Sequence, residues 1–435
     1  MSAAHPCGAA PASWLERAVS VAPGGVHSPV RAFLAVGAVP LSIRSAAGAR
    51  VTDSEGRTFV DWVGAWGPAL LGHAPAEVVE AVERAARSGL LFGFASPAEL
   101  ELAERLIPRI PGAEMVRLLV SGTEAAMTAV RLARAATARP AIVQFAGGYH
   151  GHADGLLASG GSGIATLGLS ATPGVTAGAL ANSLIARYND LASVEEAFAS
   201  RPGGVAAVIV EPVAGNMGCI PSAPGFLEGL REITRRHGAL LIFDEVITGL
   251  RLSPRGAAGH FGVTPDLTVM GKALGGGMPL AALAGPRDLM SRLAPVGPVY
   301  QAGTYAAHPL SVAAALATLS ALDARPDLYD RLERTGERLE RGLAEIARAA
   351  GVPIRVQRVG SMWTAFFTDQ PVRSWDEART VNREAYATFF RALLARGVLM
   401  PPSALEAAFI SAAHGEIEVE ITLQAARAAM QELSR

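Results

Sequence analysis

Lys272 is the residue best suited to do chemistry. Lysine and arginine together number 38, and reading along the chain finds 37 arginines, so this lysine is the only one. A guanidinium stays protonated and delocalised, whereas a lysine amine can be brought to its neutral form and attack a carbonyl. Composition by itself also fits a genome that drifted from lysine to arginine and left one survivor. The neighbours favour the chemical reading: in Met270-Gly-Lys-Ala-Leu-Gly-Gly-Gly-Met-Pro279, glycines on both sides allow a flat ligand to come close.

Two further groups belong with this lysine. Asp244 closes the apolar run Ala239-Leu-Leu-Ile-Phe243, which places a carboxylate at the carboxyl end of a buried strand, where open α/β sheets bind ligands. Ser121-Gly122-Thr123-Glu124 follows a strand pattern and opens a helical one, so hydroxyls and first-turn N–H groups share a positive helix end that suits a phosphate. The same four residues also read as an ordinary capping box with Ser121 as N-cap and Glu124 three positions on. Gly-x-x-x-x-Gly-Lys and Gly-x-Gly-x-x-Gly helix openings are absent from the sequence, which disfavours a nucleotide. An aldehyde cofactor with a pyridine nitrogen and a phosphate would use all three parts: lysine for an imine, aspartate for the nitrogen, helix terminus for the phosphate.

The elements that must position these groups follow from periodicity. At 435 residues and roughly 150 residues per domain, two or three units are expected. Met115–Val120, Ala141–Phe145, Val205–Val210, Leu240–Phe243 and Leu267–Met270 read as buried strands. Helical patterns such as Glu124–Ala136 and Phe226–His237 separate most of them, which predicts an α/β fold with a mainly parallel sheet covered on both faces. Val51–Gly56 and Thr58–Val63 read as a hairpin, and Trp14–Ala22 and Pro75–Ser88 as helices. Beyond residue 310, helices over Pro309–Leu322 and Leu328–Ala350 and strands near Ile354–Arg358 and Trp363–Phe367 predict a smaller α+β unit. The expected division is an arm over 1–50 contributing to the small domain, a large domain over 51–310, and the rest of the small domain over 311–435. The segment Gly147–Gly174 carries nine glycines in 28 residues and reads as a mobile lid or a plain surface loop.

Charge and apolar patterning narrow the partners. A formal net charge of −1, with arginines scattered along amphipathic helices, argues against a nucleic-acid surface. Apolar runs fall short of the ~18 residues a membrane span needs, and the first residues lack a basic segment followed by an apolar one. A soluble, cytoplasmic protein with a small-molecule substrate is expected. Cys7 and Cys219 have no cysteine or histidine neighbours at metal-ligand spacing, so no metal is expected.

An ordered series of motifs carries a resemblance. It runs through Pro23-Gly-Gly-Val-His-Ser-Pro-Val-Arg-Ala-Phe33, Trp62-Val-Gly-Ala-Trp-Gly-Pro68, Ser121-Gly-Thr-Glu-Ala125, Tyr149-His-Gly-His-Ala-Asp154 and Glu211-Pro-Val-Ala-Gly-Asn-Met217. It continues with Asp244-Glu-Val-Ile-Thr-Gly249, Gly271-Lys272, Pro298-Val-Tyr-Gln-Ala-Gly-Thr304 and Glu406-Ala-Ala-Phe409. Nearly end to end, the chain resembles the class III pyridoxal-phosphate aminotransferases of fold type I. The N-terminal stretch, Trp66, the glycine-rich segment and Glu406 are similar to the branch that moves an amino group between adjacent carbons of one substrate. A conventional transaminase using a keto-acid acceptor is the alternative, and a non-catalytic cofactor-binding protein a third.

The resemblance implies roles. Lys272 would bond the cofactor, pyridoxal 5′-phosphate or its pyridoxamine form, and then shuttle a proton, while Asp244 would hold the ring nitrogen. Ser121, Gly122 and Thr123 would bind the phosphate, joined by Thr304 from the second subunit of a homodimer with its active site at the interface. Tyr149 and Val246 would pack on opposite ring faces, with Asn216 near the ring. Ser28, Arg31, Trp66, Ser162, Glu211 and Glu406 would line the substrate pocket. Val120, His27 and Ala306–His308 depart from the family pattern.

Overall fold

The computed structural model describes residues 13–158 and 172–434. Its centre is a seven-stranded sheet in the order Met115–Leu119, Ala281–Gly285, Leu267–Met270, Leu240–Glu245, Val205–Val210, Ala141–Phe145, Ser183–Ala186. The last five strands pair in parallel, and Ala281–Gly285 runs antiparallel to both of its neighbours. All six residues of Val205–Val210 are buried, as a strand covered on both faces requires. The expected α/β architecture with a mainly parallel sheet is therefore the observed one.

Two strands of this sheet escape sequence reading for a physical reason. Ala281–Gly285 is Ala-Ala-Leu-Ala-Gly, which lacks the β-branched and aromatic residues that mark strands; its place between two neighbours makes it a strand. Ser183–Ala186 sits at the sheet edge with a partly exposed pattern, too short to show alternation.

Smaller sheets lie outside the central one. Ile43–Ala47, Arg50–Asp53 and Thr58–Asp61 form an antiparallel meander, so the expected hairpin is present with a third strand added. Val398–Leu399 joins Thr58–Asp61 in parallel, tying the chain's early and late parts together. A third sheet combines Arg355–Val359, Met362–Phe366 and Ala408–Phe409. Beside it, the helix Leu328–Ala350 packs on Glu416–Leu433. The N-terminal helix is shorter than expected, Trp14–Val19, set by a capping box between Ser13 and Glu16.

Buried aromatics weld these parts. Trp62 meets Trp363 edge to face with centroids 5.7 Å apart, stacks on His414 at 4.2 Å, and donates its indole N–H to Thr422. Such pairs add about 0.5–1.5 kcal/mol beyond their buried area. Among the described residues, no helix is long and apolar enough to cross a membrane, and no group of three His, Cys, Asp or Glu side chains could hold a metal ion.

Candidate active site

Five strands of the central sheet end at one edge, and each delivers a functional group there. Ser121–Thr123 follow Met115–Leu119, Tyr149 and His150 follow Ala141–Phe145, and Glu211 follows Val205–Val210. Asp244 is the penultimate residue of the strand Leu240–Glu245, and Lys272 follows Leu267–Met270. They line a cavity of about 410 Å³ together with Asn216 and Val246. This is the crevice outside the carboxyl ends of parallel strands.

Lys272 is held by an unusual backbone. Its φ is +45°, the left-handed region that a non-glycine residue occupies at a cost of order 1 kcal/mol or more. The following short 3₁₀ turn, Lys272–Gly275, aims the side chain along Gly67. A β-carbon at Gly67, whose φ is +110°, would lie 3.1 Å from Lys272 Cδ. Burial pulls the amine below its ordinary pKa, Arg251 adds to that effect, and Glu406, Glu211 and Asp244 oppose it.

Asp244 is clamped from two sides. His150 Nδ1 lies 2.7 Å from Asp244 Oδ2, and the Val246 N–H donates to Oδ1 at 3.1 Å. His150 is buried; burial disfavours its charged form, but the hydrogen bond and the charge of Asp244 outweigh this and raise its pKa. A protonated ring would make this contact an ion pair. Beside it, Glu211 accepts from the N–H groups of Tyr149 and Gly215 and from Asn216 Nδ2, each at 2.9 Å. Burial raises the pKa of Glu211, and Asp244 adds to the rise while His150 opposes it.

At the other end, Ser121 is the N-cap of a helix that opens on the cavity. Its hydroxyl caps the helix Gly122–Thr137 by accepting from Glu124 N–H at 3.3 Å, and the Glu124 carboxylate reaches back to Val120 N–H at 3.0 Å. Gly122 and Thr123 stand in the first turn, whose N–H groups have no intrahelical acceptor and face the cavity. Gly151 closes the loop over this turn: with φ +89°, a β-carbon there would sit 2.4 Å from Thr123 Oγ1. Gly122 has the same relation to Val246, whose Cγ2 would be 3.0 Å from an added β-carbon.

The remaining candidates are placed elsewhere in this single chain. Trp66 is half-buried against the core with φ +69°, next to the wall residue Gly67. Glu406 acts on Lys272 electrostatically from the loop before Ala408–Phe409. Ser28 is half-buried and Arg31 exposed in the N-terminal segment. Thr304 is exposed and lines a second hollow with Phe92, Phe94 and Ser96. Ser162 lies outside the described residues, as do positions 159–171 of the glycine-rich stretch read as a lid or a surface loop.

The sequence pattern described as aminotransferase class-III matches residues 33–411. The chain belongs to the class III aminotransferases. Among curated members of this class, it is 52% identical to a glutamate-1-semialdehyde 2,1-aminomutase of Thermomicrobium roseum, over 95% of this chain and 96% of that one. It is 53% identical to one of Sorangium cellulosum, over 97% and 96%. Among solved class III structures, an omega-transaminase from Sphaerobacter thermophilus superimposes with a TM-score of 0.87 at 33% identity, covering 96% of both chains. A glutamate-1-semialdehyde-aminomutase from Pseudomonas aeruginosa PAO1 gives 0.86 at 29% identity, covering 96% and 93%.

The class III reading brings a pyridoxal cofactor, and the residues present fit one. The cavity joins an amine shifted toward neutrality, a clamped carboxylate and a helix N-terminus, the donor set such a group requires. Its volume is in the range of small cofactor pockets. Two residues of this class III site carry more weight than the sequence assigned them. His150 has no role assigned to it within the Tyr149–Asp154 motif, and its pairing with Asp244 spans 94 positions, which no local pattern reveals. Arg251 carried no sequence signal among 37 arginines.

Proposed function

We propose that this chain is a pyridoxal-phosphate-dependent glutamate-1-semialdehyde 2,1-aminomutase, converting glutamate 1-semialdehyde to 5-aminolevulinate, a tetrapyrrole precursor, by intramolecular amino transfer. The observation that carries the chemistry is the sole lysine, set in a cavity with Asp244 and the N-terminus of Gly122–Thr137. The substrate assignment rests on full-length relatives at 50–53% identity that bear this name.

When bound, pyridoxal phosphate supplies an aldehyde carbon that bonds amines and a ring that withdraws electrons from the carbon being deprotonated. Lys272, as its neutral amine, would hold the cofactor through that aldehyde, and the same Nζ would accept and return a proton. Asp244 would hold the ring nitrogen, and His150 keeps the carboxylate oriented by occupying one of its oxygens. Ser121, Gly122 and Thr123 neutralise the phosphate with hydroxyls and helix-end N–H groups. Tyr149, Val246 and Asn216 line the same cavity, Asn216 held by Glu211, and would pack around the ring. Ser28, Arg31, Trp66, Ser162, Glu211 and Glu406 form the substrate side of this proposal. Product without an added keto acid follows from both halves of the transfer occurring on one substrate skeleton.

A homodimer with the site at its interface is part of the proposal. Leu90, Phe92, Phe94, Tyr300 and Tyr305 are exposed, and Thr304 stands among them in the hollow beside Phe92 and Phe94. Large exposed apolar groups of this kind mark association surfaces, and in this proposal Thr304 of the second copy would complete the phosphate end. A cytoplasmic location is included, and the buried free thiol of Cys219 suits a reducing compartment.

The test is to supply glutamate 1-semialdehyde alone to purified protein and assay 5-aminolevulinate. Product without any keto acid supports the aminomutase. Turnover only when a keto acid is added assigns a conventional transaminase, and absence of cofactor absorbance overturns the reading.

A further inference from the structure

Arg251 is a buried cation without a counter-ion. It is 1% exposed, and among the described residues no carboxylate lies within ion-pair distance of it. Its Nη1 donates to Ser361 Oγ at 3.1 Å and to the Ile410 carbonyl at 3.3 Å, and its Nη2 donates to the Gly67 carbonyl. The guanidinium carbon stands 4.8 Å from the centroid of Phe409. Surrounding a fixed charge with neutral acceptors in the interior is costly, and simple packing does not call for it.

The contacts lead to Lys272. Gly67, whose carbonyl binds Arg251, is the residue against which Lys272 Cδ lies: a β-carbon on it would be 3.1 Å from that atom and 3.6 Å from Phe409 Cζ. Phe409 thus touches both the guanidinium and the wall that the lysine stem follows. The charged groups facing the amine are Glu406, Glu211 and Asp244, which retain its proton, and Arg251, which repels it. Burial lowers the pKa of Arg251 itself to about 10, which leaves it charged at neutral pH.

We propose that Arg251 is a positioning residue for Lys272, one whose fixed charge behind the Gly67–Phe409 wall favours the neutral lysine amine against the pull of three carboxylates. It rests on the proposed role of Lys272, since a neutral amine is what both carbonyl attack and proton acceptance require. The guanidinium suits this task because its planar fork reaches the Gly67 carbonyl, Ser361 and the Ile410 carbonyl at once while carrying its charge.

The sole lysine makes the test direct. In the full-length, cofactor-free protein, Lys272 and the N-terminal amine are the only primary amines of this sequence that an acylating reagent can convert to stable amides, and mass spectrometry separates the two sites. The rate of Lys272 labelling against pH is measured for the wild type, Arg251→Met, Arg251→Gln and Arg251→Lys, with circular dichroism and melting recorded for each. Arg251→Gln retains a donor for the Gly67 carbonyl, so the measurement does not depend on the Met variant folding. The neutral variants are expected to need about one pH unit more for half-maximal labelling, a roughly tenfold slower reaction below the midpoint. Arg251→Lys is expected to stay within about twofold of the wild type at Lys272. In the loaded enzyme, the pH midpoint of the cofactor absorbance moves in the same upward direction in the neutral variants. An unchanged labelling midpoint in a folded neutral variant overturns the proposal, as does an equal shift in Arg251→Lys. Failure of the protein to bind pyridoxal phosphate sinks the functional reading, while labelling still decides the role of Arg251.

Discussion

At the residue scale, the site works by setting protonation states through neighbours. Asp244 is fixed by His150 and the Val246 N–H, and Lys272 is driven toward neutrality by burial and Arg251. Lys272→Ala is expected to abolish turnover while leaving the melting transition within a few degrees of the wild type, because the lysine points into a cavity and not into the core; full activity in that variant would refute its role. Asp244→Asn is expected to slow turnover by about 10²-fold or more, the range of a lost acid–base contribution, with a change in the spectrum of the bound cofactor. Unchanged rate and spectrum would remove Asp244 from the ring nitrogen. His150 becomes its partner once the fold brings positions 150 and 244 together.

At the element scale, two junctions decide whether the site assembles. Gly151 lets the loop after Ala141–Phe145 lie on the start of Gly122–Thr137, where an added β-carbon would meet Thr123 Oγ1 at 2.4 Å and its Cα at 2.6 Å. Gly151→Ala is expected to weaken cofactor binding at least tenfold, about 1.4 kcal/mol or more, measured by titration of cofactor-free protein; unaltered affinity would mean the loop shifts freely. The second junction is His414, which precedes the C-terminal helix Glu416–Leu433. Its Nδ1 accepts from the Ser411 N–H at 3.0 Å and Nε2 donates to the Asp61 carbonyl at 3.1 Å, a pattern only the neutral ring can make. Burial lowers its pKa to about 4 from the ordinary 6.5. The unfolded chain then binds the extra proton first. Stability is present in full above pH 6.5 and falls as pH drops toward 4, by about 3 kcal/mol for this group. His414→Gln is expected to flatten that part of the stability–pH curve in chemical denaturation, and an equally steep curve would assign the slope to other groups.

At the scale of the whole molecule, the exposed aromatic patch around Phe92, Phe94, Tyr300 and Tyr305 makes association testable. Phe94, 89% exposed, is the residue whose replacement disturbs the monomer least. If the proposed homodimer forms through this patch, Phe94→Asp is expected to shift sedimentation from dimer to monomer and to weaken cofactor binding, since Thr304 of the second copy would be lost; a variant that sediments as the wild type would move the interface elsewhere.

The chemistry itself was legible in one dimension, because each part of it is local. A single lysine among arginines, an aspartate ending an apolar run and a strand–turn–helix with hydroxyls are patterns of a few residues each, and short buried strands separated by helices imply a parallel sheet. Only the tertiary structure decided what surrounds those groups. His150 against Asp244, Arg251 beneath Gly67, and the strand Ala281–Gly285 between two others depend on contacts across tens to hundreds of positions. Burial and neighbouring charge, which set protonation, are properties of the assembled interior and have no expression in the order of residues along the chain.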